Sequence, residues 1–157
     1  MRHEYYSYTR DELVGNNPKL PVIIMEDNAA VFKSMAVEMA EEIKAHNERG
    51  EKTVFICPVG PVGQYPFFVE IVNKERISLK NVWFINMDEY LDDEKKWIPE
   101  THPLSFRGFM NREVYGKIDE ELLMPKEQRI FPDPENVTYI PEIIEKLGGV
   151  DICFGGI

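Results

Sequence analysis

The sequence predicts a three-layer α/β/α domain built on a largely parallel, Rossmann-like sheet, and two observations carry that expectation. Short β-branched runs alternate with longer segments of helical period. Some of the short runs are continuously apolar, as strands buried on both faces are. The length of 157 residues suits one ordinary domain. At 43% hydrophobic and 29% charged, the chain can fill one core without approaching the disordered range.

Pro21-Val22-Ile23-Ile24-Met25 reads as the first strand. Asp27 or Asn28 then caps a helix whose apolar stripe, Val31, Met35, Met39 and Ile43, recurs every fourth residue, and Asn47 to Gly50 ends it. Thr53 to Cys57 is a strand apolar on both faces. A Gly/Pro loop, Pro58-Val59-Gly60-Pro61-Val62-Gly63, leads into a helix that places Pro66 in its first turn and Phe68, Ile71 and Val72 on its inner face. Asn81 to Asn86 forms a third strand, followed by Met87-Asp88-Glu89-Tyr90 and a long polar connection through Trp97, Pro99 and His102. Pro103 is expected to start a helix running to about Tyr115. A loop rich in Pro and charge follows over 125–134, then a short helix after Pro141 and a last strand, Val150 to Phe154.

Cys57 and Cys153 both fall in apolar strand-like runs and read as inert buried thiols, with no zinc-type spacing around them. The last strand runs into Gly155-Gly156-Ile157, although a parallel strand needs a loop and covering helices beyond its carboxyl end. The chain therefore reads as truncated at its C-terminus, with 1–157 the N-terminal portion of a longer domain.

Lys plus Arg number 18 and Asp plus Glu 28, so the net charge is 18 − 28 = −10. Nucleic acid is an unfavourable partner, because such binding draws on basic clusters that release counterions. No apolar run approaches the roughly 18 residues that suggest a membrane span, and Met1 to Tyr6 lacks the apolar stretch of a signal peptide. The expectation is a cytoplasmic protein with no membrane partner.

Ligands of open α/β sheets bind outside the carboxyl ends of the strands, and three features fall there. Glycines in 58–63 let backbone N–H groups approach an anion at the start of the next helix, although Gly also serves such turns for geometry alone. Asp88 and Glu89 adjoin one another between Met87 and Tyr90. Burial and a like charge both raise a carboxyl pKa toward the range useful for proton transfer; the alternative is a solvated acidic loop. The connection after Tyr90 is long enough for a lid or a binding loop, and His102 at its end is either a loop or cap residue or a catalyst.

Asn86-Met87-Asp88-Glu89-Tyr90, then His102-Pro103-Leu104-Ser105-Phe106 and Phe109-Met110, resemble the corresponding stretch of the glucosamine-6-phosphate deaminase (amino-sugar-phosphate isomerase) family. Gly155-Gly156-Ile157 is similar to the start of that family's Gly-Gly-x-Gly-x-(Asp/Asn)-Gly-His segment, and in order and spacing the resemblance runs from about Val22 onward. It implies an enzyme that opens an amino-sugar 6-phosphate, shifts a proton between C2 and C1, and releases ammonia to leave fructose 6-phosphate. Asp88 matches the family's proton-transferring carboxylate, with Glu89 tuning or positioning it. Val59, Gly60, Val62 and Gly63 align with the phosphate-binding loop.

The family places Thr or Ser and a further hydroxyl in that loop, where this chain has Val59, Pro61 and Val62. Each hydrogen bond lost to a charged group is worth about 1.5–3 kcal/mol, which weakens a standard 6-phosphate grip. The family's ring-opening histidine and its phosphate-holding Arg and Lys lie beyond Ile157, so the chain alone is expected to be inactive. The resemblance implies no cofactor and no metal. The partner is a small-molecule sugar phosphate, and a homo-oligomer is compatible with it. Other readings of the same residues are a 6-phosphogluconolactonase-like hydrolase of the superfamily, a non-catalytic sugar-phosphate sensor, and a phospho-accepting receiver module using Glu26-Asp27 and Asp88.

Overall fold

In the computed structural model, which describes residues 7–15 and 21–155, a short helix α1 (Arg10–Gly15) comes first. Thr9 and Glu12 close its start reciprocally: the Glu12 carboxylate accepts from the Thr9 N–H at 2.7 Å, and the Glu12 N–H donates to Thr9 Oγ1 at 3.4 Å. Met1 to Tyr6, read above for a signal sequence, lie outside the described residues, as do Gly156 and Ile157.

Pro21 to Met25 is not a strand. The run pairs with no strand of the sheet, and Val22 and Ile23 are exposed. An apolar, β-branched run signals a preference for extended backbone, and a strand also requires a neighbour whose ladder it can join. Asp27 then opens α2 (Asn28–Arg49), its carboxylate accepting from the Ala30 N–H at 2.7 Å, and Gly50 closes it in the left-handed conformation with φ 68°. Met39 and Ile43 are buried as expected, whereas Val31 is exposed and Met35 half-buried. A spacing of four drifts around a helix of 3.6 residues per turn, so the covered stripe instead takes in Ala36, Ala40 and His46.

Strand β1 (Thr53–Cys57) leads to α3 (Gln64–Glu75) and β2 (Val82–Asn86), and the two strands pair in parallel from Thr53↔Val82 to Cys57↔Asn86. On α3 the buried face is Phe68, Val69 and Val72, with Ile71 half-buried rather than inside. The next helix begins not at Pro103 but at Ser105, whose hydroxyl accepts from the Gly108 N–H at 3.1 Å. This is α4 (Phe106–Met110), continued without a break by a π-helical turn, Asn111–Tyr115. A 3₁₀ turn (Lys126–Gln128) enters β3 (Arg129–Ile130), a two-residue strand with no counterpart in the sequence reading. Helix α5 (Ile140–Leu147), with Pro141 in its first turn, and β4 (Ile152–Cys153) complete the order.

The sheet order is β3-β2-β1-β4 and every pairing is parallel, which is the expected class. Its two faces are covered unequally. Phe55, Cys57, Val82 and Phe84 point to one face and meet α2, α3 and the π-helical turn; Phe84 lies 5.9 Å from Phe55, 5.9 Å from Phe68 and 6.3 Å from Tyr115 between ring centroids. Alternation sends Trp83 to the other face, where it borders a cavity with Ile143 and Leu147 of α5, a helix with no fully buried residue. Cys57 is buried as expected, but Cys153 is exposed, because β4 is an edge strand and the core-facing position there belongs to Phe154. Both thiols are free. Among the described residues no helix is long and apolar enough to cross a membrane.

Candidate functional site

The carboxyl ends of β1 and β2 are locked side by side. The Met87 N–H donates to the Cys57 carbonyl at 2.9 Å, so the chain leaves β2 beside the loop that leaves β1. The buried Asn86 amide ties this end to β3 by donating to the Ile130 carbonyl at 2.9 Å.

Consecutive residues of an extended segment point to opposite sides, and Asp88 and Glu89 take different environments accordingly. Asp88 is exposed at the rim, yet partial removal from water, and secondarily the neighbouring Glu89, holds its carboxyl above the usual range. The Glu89 side chain is 0% exposed. Its Oε1 accepts from the Tyr90 and Phe106 N–H groups at 2.8 and 3.0 Å; its Oε2 accepts from the Arg107 N–H at 2.7 Å and the Ser105 hydroxyl at 3.2 Å. It also pairs with Arg107 Nε at 3.3 Å. A carboxylate set on the first N–H groups of α4 answers both the unpaired donors and the helix dipole. Glu89 is a buried anchor and Asp88 is the accessible acid.

The connection after Tyr90 is fastened down. The Arg107 guanidinium stacks 4.2 Å from the Trp97 ring centroid and donates to the Ile98 carbonyl at 2.9 Å. Trp97 Nε1 donates to the Pro132 carbonyl at 2.9 Å. Arg112 and Asn111 hold the Glu100 carbonyl and carboxylate at 2.9 and 2.7 Å. Of the lid or binding loop expected here, the structure shows a segment tied along its length to α4 and to the turn after β3. His102 is exposed, with Nδ1 accepting from the Leu104 N–H at 3.2 Å, which shapes the turn before α4.

The loop 58–63 is braced from α3: the Tyr65 hydroxyl donates to the Pro58 carbonyl at 2.5 Å and Gln64 Nε2 to the Pro61 carbonyl at 3.0 Å. The Gly60–Pro61 peptide is cis, and Gly60 takes φ 136°, a backbone that favours glycine, with open space where a Cβ would stand. Gly63 differs. A Cβ there would collide with the Phe32 ring, so this glycine serves the packing of α2 on α3. Val59 is half-buried and Val62 exposed, and the start of α3 has no side-chain cap. The predicted residues thus gather at neighbouring strand ends.

Missed by the sequence reading is the second wall of an open groove of about 320 Å³, in which Met87, Asp88, Glu89 and Leu91 face Pro132, Asp133, Pro134 and Val137. Those residues follow β3, a strand too short to register as a pattern. Asp133 Oδ1 accepts from the Glu135 and Asn136 N–H groups at 2.7 and 2.8 Å and shapes the turn.

No family model matches the chain. Individual proteins do. It is 33% identical over 142 residues to the glucosamine-6-phosphate deaminase of Phocaeicola vulgatus, covering 87% of this chain and 52% of that one. It is 31% identical over 144 residues to the deaminase of Caenorhabditis elegans, covering 86% and 51%. The chain is homologous to glucosamine-6-phosphate deaminases. It spans about half the length of the curated deaminases it matches, whose names also include that of Bacteroides fragilis at 33% identity. The solved structure of a monomeric glucosamine-6-phosphate deaminase of the NagB superfamily superposes with a TM-score of 0.69 at 20% identity, over 85% of this chain and 54% of that one, which establishes the deaminase fold.

Proposed function

We propose that the protein is an amino-sugar-phosphate deaminase/isomerase that converts glucosamine 6-phosphate, or a related amino-sugar phosphate, to fructose 6-phosphate and ammonia. The observation that carries this reading is Asp88, an accessible carboxyl with a raised pKa at the carboxyl end of β2, next to the glycine loop of β1. In the ring-opened sugar, a base at Asp88 takes the C2 proton and returns it to C1 while O1 gains a proton from the C2 nitrogen, leaving a C2 imine; water then adds at C2, ammonia departs and the water oxygen becomes the C2 carbonyl. A carboxyl held above its ordinary range is a stronger base in its ionised form than an ordinary one. Glu89 positions Asp88 by fixing the backbone on which it stands and raises its pKa by like charge.

Val59, Gly60 and Val62 line the loop assigned to the phosphate, supported by the start of α3, where the helix dipole and uncapped N–H groups favour an anion. Gly63 contributes by packing. A receiver module is disfavoured because Asp27 is spent on the cap of α2 and, among the described residues, no strand precedes it. The test is ammonia release from glucosamine 6-phosphate by the complete protein. Asp88→Asn should lower kcat by about 10²–10⁴-fold, the range of general acid–base catalysis; undiminished turnover removes Asp88 from the role. Tight binding without turnover supports the sensor instead, for which the missing hydroxyls of the loop speak.

A further inference from the structure

A second cavity, larger than the groove beside Asp88, takes no part in the chemistry proposed above. It measures about 750 Å³, lies over the less covered face of the sheet against α5, and shares no lining residue with that groove. Register sets Ile130 beside Ile85, on the same face as Trp83. These two, with Ile143 and Leu147 of α5, make much of the lining apolar, and both tryptophans of the sequence border the space. A concave, largely apolar pocket with a few charged groups at its walls is the usual form of a small-molecule site.

The charged side chains are weighted toward cations. Arg107, Lys126, Arg129 and Lys146 border the cavity against Glu100 and Glu127, in a chain whose net charge is −10. Arg107 and Glu100 are already matched: Arg107 pairs with Glu89 and with Glu100, whose carboxylate Asn111 also holds. Arg129 is not matched. It is half-buried, donates to the Met124 carbonyl at 2.6 Å and lies over the Tyr115 ring, and its Nε is buried with no acceptor among the described residues. Partial burial works against its charge, and Glu127 acts on it without forming an ion pair. A guanidinium drawn out of water with no carboxylate to answer it is costly, and at a cavity wall it calls for an anion in the cavity. Lys126 and Lys146 stand exposed nearby, and Lys146 meets Glu142 only at 4.0 Å.

We propose that this cavity binds a flat aromatic or heteroaromatic molecule that carries a phosphate or a carboxylate, with the anion against Arg129, Lys126 and Lys146 and the ring against Trp83, Ile143 and Leu147. A guanidinium presents paired donors that match either oxyanion. The indole and the branched aliphatic chains suit a flat ring better than a free sugar, whose hydroxyls would meet no partner on them.

The site is independent of the proposed deaminase chemistry, so it stands or falls separately. The experiment is calorimetric titration of the complete protein with adenosine monophosphate and benzoate, which represent the two sources of the anion, and with adenosine and inorganic phosphate, which lack the charge and the ring. Tryptophan fluorescence is followed in parallel. Expected is one equivalent of adenosine monophosphate or benzoate bound at least tenfold more tightly than adenosine or inorganic phosphate, with a change in emission that Trp83→Phe diminishes; the tighter of the two names the source. Arg129→Gln should weaken that binding at least tenfold and Lys126→Gln combined with Lys146→Gln at least threefold, while Asp88→Asn and Lys33→Gln, outside the cavity, should leave it unchanged. If Arg129→Gln fails to fold, the paired lysine substitutions at exposed positions still decide. The inference is overturned if neither ring-bearing anion binds saturably, if inorganic phosphate or adenosine binds as tightly, or if binding is undiminished in the paired lysine variant.

Discussion

Replacing Glu89 by Gln keeps the shape of the side chain and removes one acceptor oxygen and the charge. The oxygens accept from four donors, the N–H groups of Tyr90, Phe106 and Arg107 and the Ser105 hydroxyl, and form an ion pair with the Arg107 guanidinium. Whichever way the new amide turns, its NH₂ opposes at least one backbone N–H, and each buried donor left unpaired costs about 1–3 kcal/mol. Arg107, 15% exposed, also loses its carboxylate. Breaking a buried pair from one side costs about 3–5 kcal/mol. These two descriptions overlap, and about 4 kcal/mol is a fair single figure, a large part of the roughly 5–15 kcal/mol that holds a domain folded. At a urea dependence near 2 kcal/mol per molar, the unfolding midpoint should fall by about 2 M. Ser105→Ala, which removes the cap of α4 and one of the donors to Glu89, should cost only about 1–2 kcal/mol and shift the midpoint by about 0.5–1 M. A Glu89→Gln midpoint within that smaller shift would refute the anchoring role and return Glu89 to the ranks of surface acids.

Asp88 should behave in the opposite sense. Its pKa is raised in the folded state, so the folded protein binds the proton more tightly and stability falls as pH rises from the ordinary carboxyl value of 3.8 through the raised one. Asp88→Asn should therefore leave the protein at least as stable at neutral pH, with that pH dependence flattened, in unfolding curves recorded across the acid range. Gly63→Ala should destabilise by about 1–3 kcal/mol through its collision with Phe32, whereas Gly60→Ala meets open space and carries only the backbone strain of φ 136°, about 1–3 kcal/mol. Crystal structures would separate the two, with α2 displaced only in the former. Gly108→Ala drives a Cβ into the Glu100 carbonyl and should release the wall 91–102, seen as faster amide exchange there than in β1. In the native chain a thiol reagent should label Cys153 quickly and Cys57 only on unfolding, because burial pushes the Cys57 thiol up and shields it.

Where periodicity and capping chemistry agree, the sequence and the structure agree. Asp27 and Gly50 bracket α2 as their types require, and the apolar stretches at 53–57 and 82–86 are the two central strands. Pro21 to Met25 has the same composition and no ladder, because pairing depends on a neighbour that no local pattern records. Two-residue strands such as β3 lie below the length at which alternation exists, so the groove wall after it was hidden with it. The place of Asp88 after a strand and beside another acid is legible in the sequence. The division of labour between Asp88 and Glu89 was not readable, since it rests on Ser105 to Arg107 arriving from sixteen to eighteen residues away. The packing of Gly63 against Phe32 is not legible, because Phe32, thirty-one positions earlier, is a neighbour only in space.

The π-helical turn at Asn111–Tyr115 makes the register of that segment unforgiving. A π turn accommodates one residue more than the α-helix it interrupts, and here the wider turn brings Val114 and Tyr115 together onto the sheet, Tyr115 lying under Phe84 and beneath the Arg129 guanidinium, 4.7 Å from it. Deleting a single residue between 111 and 115 would let the segment relax to a regular α-helix and remove the wider turn that seats Val114 and Tyr115 together. The chain would gain a better helix and lose its seat on β2. Length variation among relatives should therefore collect in the loops at either side and spare these five positions.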